Sequence, residues 1–230
     1  MTAANCALLT PLAVTAYTAT SAAGRGRAAL LESLQQQRSG LRPNDLGSDP
    51  LPCWIGRVAG LEEAPLPPAL QVWESRNNRL AWLALQQDDL QHALQQARQR
   101  YGAGRIAVVM GTSTASIGET ELAYRQLEDG QFPPALARPA IHTPHSLGAF
   151  VQAATALEGP CLTVATACSS SAKVFAQAAR LIAAGQADAA LVGGVDTLCG
   201  SVLYGFNSLG LVSTAPCRPF DARRDGLSLG

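Results

Sequence analysis

With 230 residues and 47% hydrophobic content, the chain is long enough for one large domain or two small ones around a well-buried core. Its 17 basic and 17 acidic residues cancel, which excludes a net field that would draw it to nucleic acid, to a membrane surface or to an acidic partner. An anionic substrate must therefore be held by a local site. All the basic residues except Lys173 are Arg, a bias that reflects genomic base composition more simply than phosphate recognition. The start, Met1-Thr-Ala-Ala-Asn, shows no basic segment followed by an apolar run, and no stretch approaches the roughly 18 apolar residues of a membrane span. A soluble cytoplasmic protein is expected. Six cysteines (Cys6, Cys53, Cys161, Cys168, Cys199 and Cys217) lie far apart without a CxxC pair, which argues against a disulfide framework and against a zinc site.

In chain order, Cys6 to Thr18 is rich in Leu, Val and Thr and predicts an opening strand, and Gly24 to Gln37 predicts a helix with Leu30, Leu31 and Leu34 on one face. Pro43 to Pro68 is punctuated by Pro and Gly, as in a surface loop or small hairpin around Trp54-Ile55-Gly56-Arg57-Val58. From Ala69 to Arg100 the pattern is helical in two pieces, anchored by Trp82, Leu85, Leu90 and Leu94, with the glutamines between Gln86 and Gln99 on the solvated face. Gly102 to Thr112 is a turn feeding a continuous apolar strand of the kind covered on both faces. The small-residue loop Gly111 to Gly118 lacks the terminal Gly-Lys-Ser/Thr and the GxGxxG spacing of a phosphate cradle. Cys161 to Thr166 predicts a further strand, Ser169 to Ala184 a helix apolar around most of its circumference and hence buried, and Ala187 to Val195 a last strand ending in Gly193-Gly194. Strand, helix, strand is a crossover unit.

Cys168 falls between a strand and the helix that opens at Ser169, so its sulfur lies near a helix N-terminus, where free N–H groups and the macrodipole favour an anion and hence the thiolate. Ser169 to Ser171 suit a tight strand-to-helix turn and are placed to satisfy early helical N–H groups. A backbone N–H at such an elbow also faces a developing oxyanion. By geometry alone, a lone cysteine before a helix is a structural core residue more often than a nucleophile. A hydrolytic cysteine enzyme is disfavoured, because Thr166 and Ser170 stand where a Gly-x-Cys-x-Gly elbow needs glycines.

Gly159-Pro160-Cys161-Leu-Thr-Val-Ala-Thr-Ala-Cys168-Ser-Ser-Ser-Ala resembles the active-site segment of the β-ketoacyl synthases of the thiolase superfamily. Gly185-Gln-Ala-Asp188, Val192-Gly-Gly194, Phe206-Asn-Ser-Leu-Gly210 with Ser213, and Cys217-Arg-Pro-Phe-Asp-Ala-Arg-Arg-Asp-Gly226 resemble successive blocks of the same family, strongly from Gly159 to Gly230 and more loosely before it. The resemblance implies a thiolase-like layered α/β fold, of which residues 1–230 supply the N-terminal half as one domain. It implies that Cys168 takes an acyl group from an acyl carrier protein. A malonyl carrier thioester then loses carbon dioxide and attacks the acyl group, giving a 3-oxoacyl thioester in fatty acid, polyketide or aryl polyene synthesis. No metal or redox cofactor is implied, and the assembly implied is a homodimer formed across a central strand.

By the same resemblance, Phe206 lines the acyl channel and Thr114 stands where family members vary the residue limiting acyl length, while Arg223 and Arg224 order a loop behind the active site. Each of these also reads as ordinary core or surface. His92, His142 and His145 do not match the two family histidines, which with a lysine belong to the C-terminal half. A piece without that half is expected to be inactive in condensation. His142 and His145 read as surface or dimer-interface residues. Arg76-Asn-Asn-Arg79 is unusual for housekeeping synthases and favours a specialised one. A non-catalytic partner subunit of a heterodimer is the alternative, and retention of Cys168 counts against it.

Overall fold

The computed structural model of the protein describes residues 10–230. A short hairpin, β1 (Thr20–Ser21) with β2 (Gly24–Arg25), leads into α1 (Gly26–Gln35). The expected opening strand is not formed over Thr10 to Thr18, and its part from Cys6 to Leu9 lies outside the described residues. Leu12 and Val14 are exposed there, and the segment pairs with none of the described strands. The leucine face of α1 also departs from expectation. Leu31 and Leu34 point outward, and Ser33 is the buried side chain, donating its hydroxyl to the Ala23 carbonyl at 2.6 Å. The hairpin's unpaired carbonyl needs a donor, and that requirement turns the helix.

β3 (Leu41–Pro43) pairs antiparallel with β4 (Trp54–Gly56), the small hairpin expected in the Pro-rich excursion. Ile55 of β4 is fully buried with Cys53, Leu198 and Leu203 in a satellite core. The predicted helical pair is α2 (Arg76–Leu85) and α3 (Leu90–Tyr101), preceded by a 3₁₀ turn over Pro68–Trp73. Leu85, Leu90 and Leu94 are buried, and Trp82 packs beside them.

β5 (Ile106–Gly111) is the axis of the fold: all six residues are buried, and it is paired in parallel with β6 (Cys161–Val164) on one side and β7 (Ala189–Gly194) on the other. Because successive side chains alternate across a sheet, Ile106, Val108 and Met110 enter a core with α2, α3 and α5 (Ser146–Thr155), whose Leu147, Phe150 and Val151 are fully or almost fully buried. Ala107 and Val109 face the other way, onto Val174, Ala178 and Leu181 of α6 (Ser170–Ala183). The result is helix, sheet, helix in three layers. α4 (Ile117–Arg125) lies with α5 in the β5–β6 crossover, α6 makes the β6–β7 crossover, and α7 (Gly200–Ser208) packs on α4.

The circumferential burial expected of α6 is not observed. One face packs on the sheet, while Phe175, Lys173 and Ala172 are exposed, since no further layer covers the outer face among the described residues. Nor is any helix long and apolar enough to cross a membrane among the described residues.

Candidate active site

Cys168 sits in a 3₁₀ turn, Ala167–Ser169, that joins the end of β6 to α6. Ala167 holds φ at 53°, a left-handed conformation unusual for a residue with a Cβ, and this lifts Cys168 out of the line of the strand. Of the five described cysteines, all free thiols, Cys168 is the exposed one. Cys53 and Cys199 are buried and Cys161 is half-buried. Burial pushes all three thiols up, Cys199 to about 11, so these sulfurs stay protonated and inert. The serines act differently from the sequence expectation. Ser169 caps no helical N–H of α6; its hydroxyl turns back to donate to the Thr166 carbonyl at 3.0 Å. Ser170, 1% exposed, accepts from the Thr166 N–H at 2.9 Å and donates to the carbonyls of Ala167 (2.6 Å) and Thr112 (3.1 Å). The first-turn amides of α6 are therefore left without side-chain partners beside the thiol.

Two glycines let α6 begin this close to the sheet. A Cβ at Gly111 would lie 2.8 Å from the Ser170 carbonyl carbon, and one at Gly194 would lie 2.7 Å from the Ser171 Cβ. The loop that follows Gly111 has its amides occupied. Asp196 Oδ1 accepts from the N–H groups of Ser113 (2.7 Å) and Thr114 (3.2 Å) and from the Thr112 hydroxyl (2.9 Å). A carboxylate from within the chain thus fills the concavity that a phosphate would need, in agreement with reading this loop as unsuited to nucleotides.

Residues 77–230 match the family model described as "Beta-ketoacyl synthase, N-terminal domain", more than half of the chain. The chain belongs to the β-ketoacyl synthase family. The structure resembles the ketosynthase ApeO in complex with its chain length factor ApeC from Xenorhabdus doucetiae, with a TM-score of 0.77 and 32% identity over 93% of this chain and 55% of that one. A β-ketoacyl synthase from Burkholderia phymatum STM815 gives 0.74 and 25%, over 91% of this chain and 54% of that one. By sequence, Nodulation protein E of Rhizobium meliloti is 33% identical over 128 residues, 55% of this chain and 32% of that protein. The chain spans about half the length of these solved relatives. The layered α/β architecture is that of the thiolase-like ketosynthases, as the motifs implied.

In this synthase chain, Thr114 lies in the Asp196-bound loop, joined to the Cys168 turn through Thr112 and Ser170. Phe206 is half-buried on α7 and belongs to none of the apolar clusters among the described residues. His142 has both ring nitrogens engaged, with the Thr120 hydroxyl (2.8 Å) and the Leu136 carbonyl (2.7 Å), and orders the loop before α5. His145 is exposed just ahead of that helix. Arg223 and Arg224 fold a surface turn around Asp221, whose oxygens accept from the Arg223 N–H (2.7 Å) and from the Arg224 side chain (3.1 Å).

Arg76-Asn-Asn-Arg79 opens α2 under a Ser75 cap that accepts from the Asn78 N–H at 3.1 Å. Arg76 and Arg79 line a cavity of about 260 Å³ together with Glu62, Glu74, Glu119 and Arg138. Burial opposes ionisation of Glu62, but Arg76 and Arg57 outweigh it and hold that carboxyl below its ordinary range. For Glu119 burial wins and pushes the carboxyl up, and the Arg76 N–H at 2.6 Å and the charge of Arg138 offset this only in part. Asp196, Ser170 and Glu119 were not singled out from the sequence as individual site residues. The available signal for Asp196 was an acidic residue two positions after a Gly-Gly strand end.

Proposed function

We propose that the chain is the nucleophile-bearing part of a condensing ketosynthase in which Cys168 is transiently acylated. The observation that carries this reading is the exposed thiol on a left-handed turn at the mouth of α6, in a chain whose described buried thiols are held protonated. Its sulfur attacks the carbonyl of an acyl thioester, the new S–C bond forms, and the carrier thiol leaves with the proton. Loss of carbon dioxide from a malonyl thioester then supplies the electron pair that attacks the acyl carbon, and the Cys168 sulfur is released. An oxyanion at that carbon is positioned to meet a backbone N–H at the start of α6, which has no side-chain cap. The carrier is an acyl carrier protein, in keeping with a relative named "3-oxoacyl-[acyl-carrier-protein] synthase 2" of Rhizobium meliloti, 40% identical over 82 residues, 32% of this chain and 20% of that protein. Phe206 lines the acyl channel and Thr114 limits its length.

A dimer forms along β6, an edge strand whose outer side has no partner among the described residues. A homodimer is the simplest arrangement. The likeness to a ketosynthase paired with a chain length factor, together with Arg76-Asn-Asn-Arg79, favours a second arrangement in which this chain is the catalytic member of a heterodimer in polyketide or polyene synthesis. Native mass measurement with and without a co-expressed partner separates the two. For the reaction, a Cys168→Ala variant of the full-length polypeptide, given acyl and malonyl carrier proteins, is expected to yield no 3-oxoacyl product by mass spectrometry. Product at the parent rate from that variant contradicts the proposal.

A further inference from the structure

The C-terminal ends of all three central strands are joined by one chain of hydrogen bonds. It starts at Asp196, two residues past β7, whose Oδ1 alone collects four donors: the N–H groups of Ser113 and Thr114, the Thr112 hydroxyl, and the Thr114 hydroxyl at 3.4 Å. The Thr112 hydroxyl also accepts from the Ala115 N–H at 2.8 Å, which holds Ala115 at φ 47°. Thr112 is 0% exposed, and its carbonyl accepts from Ser170, the residue that fixes the Cys168 turn. The loop carrying Thr114 and the turn carrying Cys168 therefore share one anchor.

We infer that Asp196 is a positioning residue that sets the acyl-length preference of the synthase. It does so by holding Thr114 at a fixed depth relative to Cys168 through Thr112 and Ser170. The inference rests on the function proposed above and deepens it. The donors all converge on one oxygen, so an amide oxygen in the same place preserves the arrangement, whereas a methyl group releases the loop. A released loop no longer limits the bound chain sharply, and discrimination between acyl chains falls while the thiol itself remains.

The test uses the full-length enzyme and a mixture of acyl carrier thioesters differing by two carbons, with product lengths read by mass spectrometry. Asp196→Ala is expected to reduce discrimination between the preferred chain and the next longer one by about tenfold, the low end of what one methylene is worth in a fitted apolar pocket. Asp196→Asn is expected to keep the parent profile. Thr112→Val, which removes the shared hydroxyl without changing the side-chain shape, is expected to follow Asp196→Ala, and it carries the test if that variant does not fold. A length ratio does not depend on the amount of active enzyme, so a merely structural role lowers yield and thermal midpoint without moving it. An unchanged ratio in the releasing variants, with Cys168 acylated in each, overturns the inference and leaves the condensing reading standing. An equal shift in Asp196→Asn also overturns it, and a parent enzyme never acylated on Cys168 overturns both.

Discussion

The two ends of the central sheet are built from the same three strands with opposite chemistry. At the N-terminal end, Arg105 grips Asp188 with two nitrogens at 2.7 and 2.8 Å and adds the Gly185 carbonyl, an exposed ionic clamp between the starts of β5 and β7. At the C-terminal end, hydroxyls, amides and a single carboxylate oxygen tie loop to turn beside an exposed thiol. Parallel sheets offer ligands the carboxyl ends of their strands, where chain reversals leave backbone groups unpaired. One end therefore only has to hold, while the other has to hold a geometry.

That contrast is open to test, from the largest expected effect downward. Gly111→Ala drives a Cβ into the Ser170 backbone and shifts the start of α6; acylation of Cys168 should fall by roughly a hundredfold while far-ultraviolet circular dichroism stays native, since an ångström of misplacement costs about that much. Gly159→Ala makes the matching intrusion at the other end, onto the Ile106 carbonyl. It should cost about 1–3 kcal/mol of stability in urea titration, with activity per folded molecule unchanged. Equal loss of activity per folded molecule in both variants would break the comparison.

A smaller effect separates buried from exposed charge. Glu119, in the first turn of α4, is raised by burial, so the folded chain keeps its proton at pH values where the unfolded chain has released it. Stability therefore falls as pH rises from the ordinary glutamate value of 4.5 through the raised folded value. Glu119→Gln keeps an oxygen for the Arg76 N–H and should flatten that fall, seen as urea midpoints that differ less between about pH 5 and about pH 8 than in the parent. The smallest change is expected for Arg105→Ala, which opens a solvent-screened pair and should leave the thermal midpoint within about 2 °C of the parent.

The sheet and its crossovers were legible because β5 is a continuous apolar run and Gly102, Gly104 and Gly111 mark its ends. The Cys168 turn was legible through its motif, and α2 and α3 through their leucine spacing. The outer face of α6 was not, since Phe175 looks as apolar in sequence as the buried Val174, and only packing decides which face has a neighbour. The leucines of α1 misled for the same reason. The role of Asp196 depends on residues 82 to 84 positions away, a juxtaposition that no local pattern encodes.

The most direct test of the central claim is intact-protein and peptide mass spectrometry of the full-length polypeptide after incubation with an acyl-loaded carrier protein. The account predicts one acyl group per chain, on the peptide containing Cys168 and absent in Cys168→Ala. An unmodified Cys168, or an acyl group carried on Cys217 instead, would contradict it.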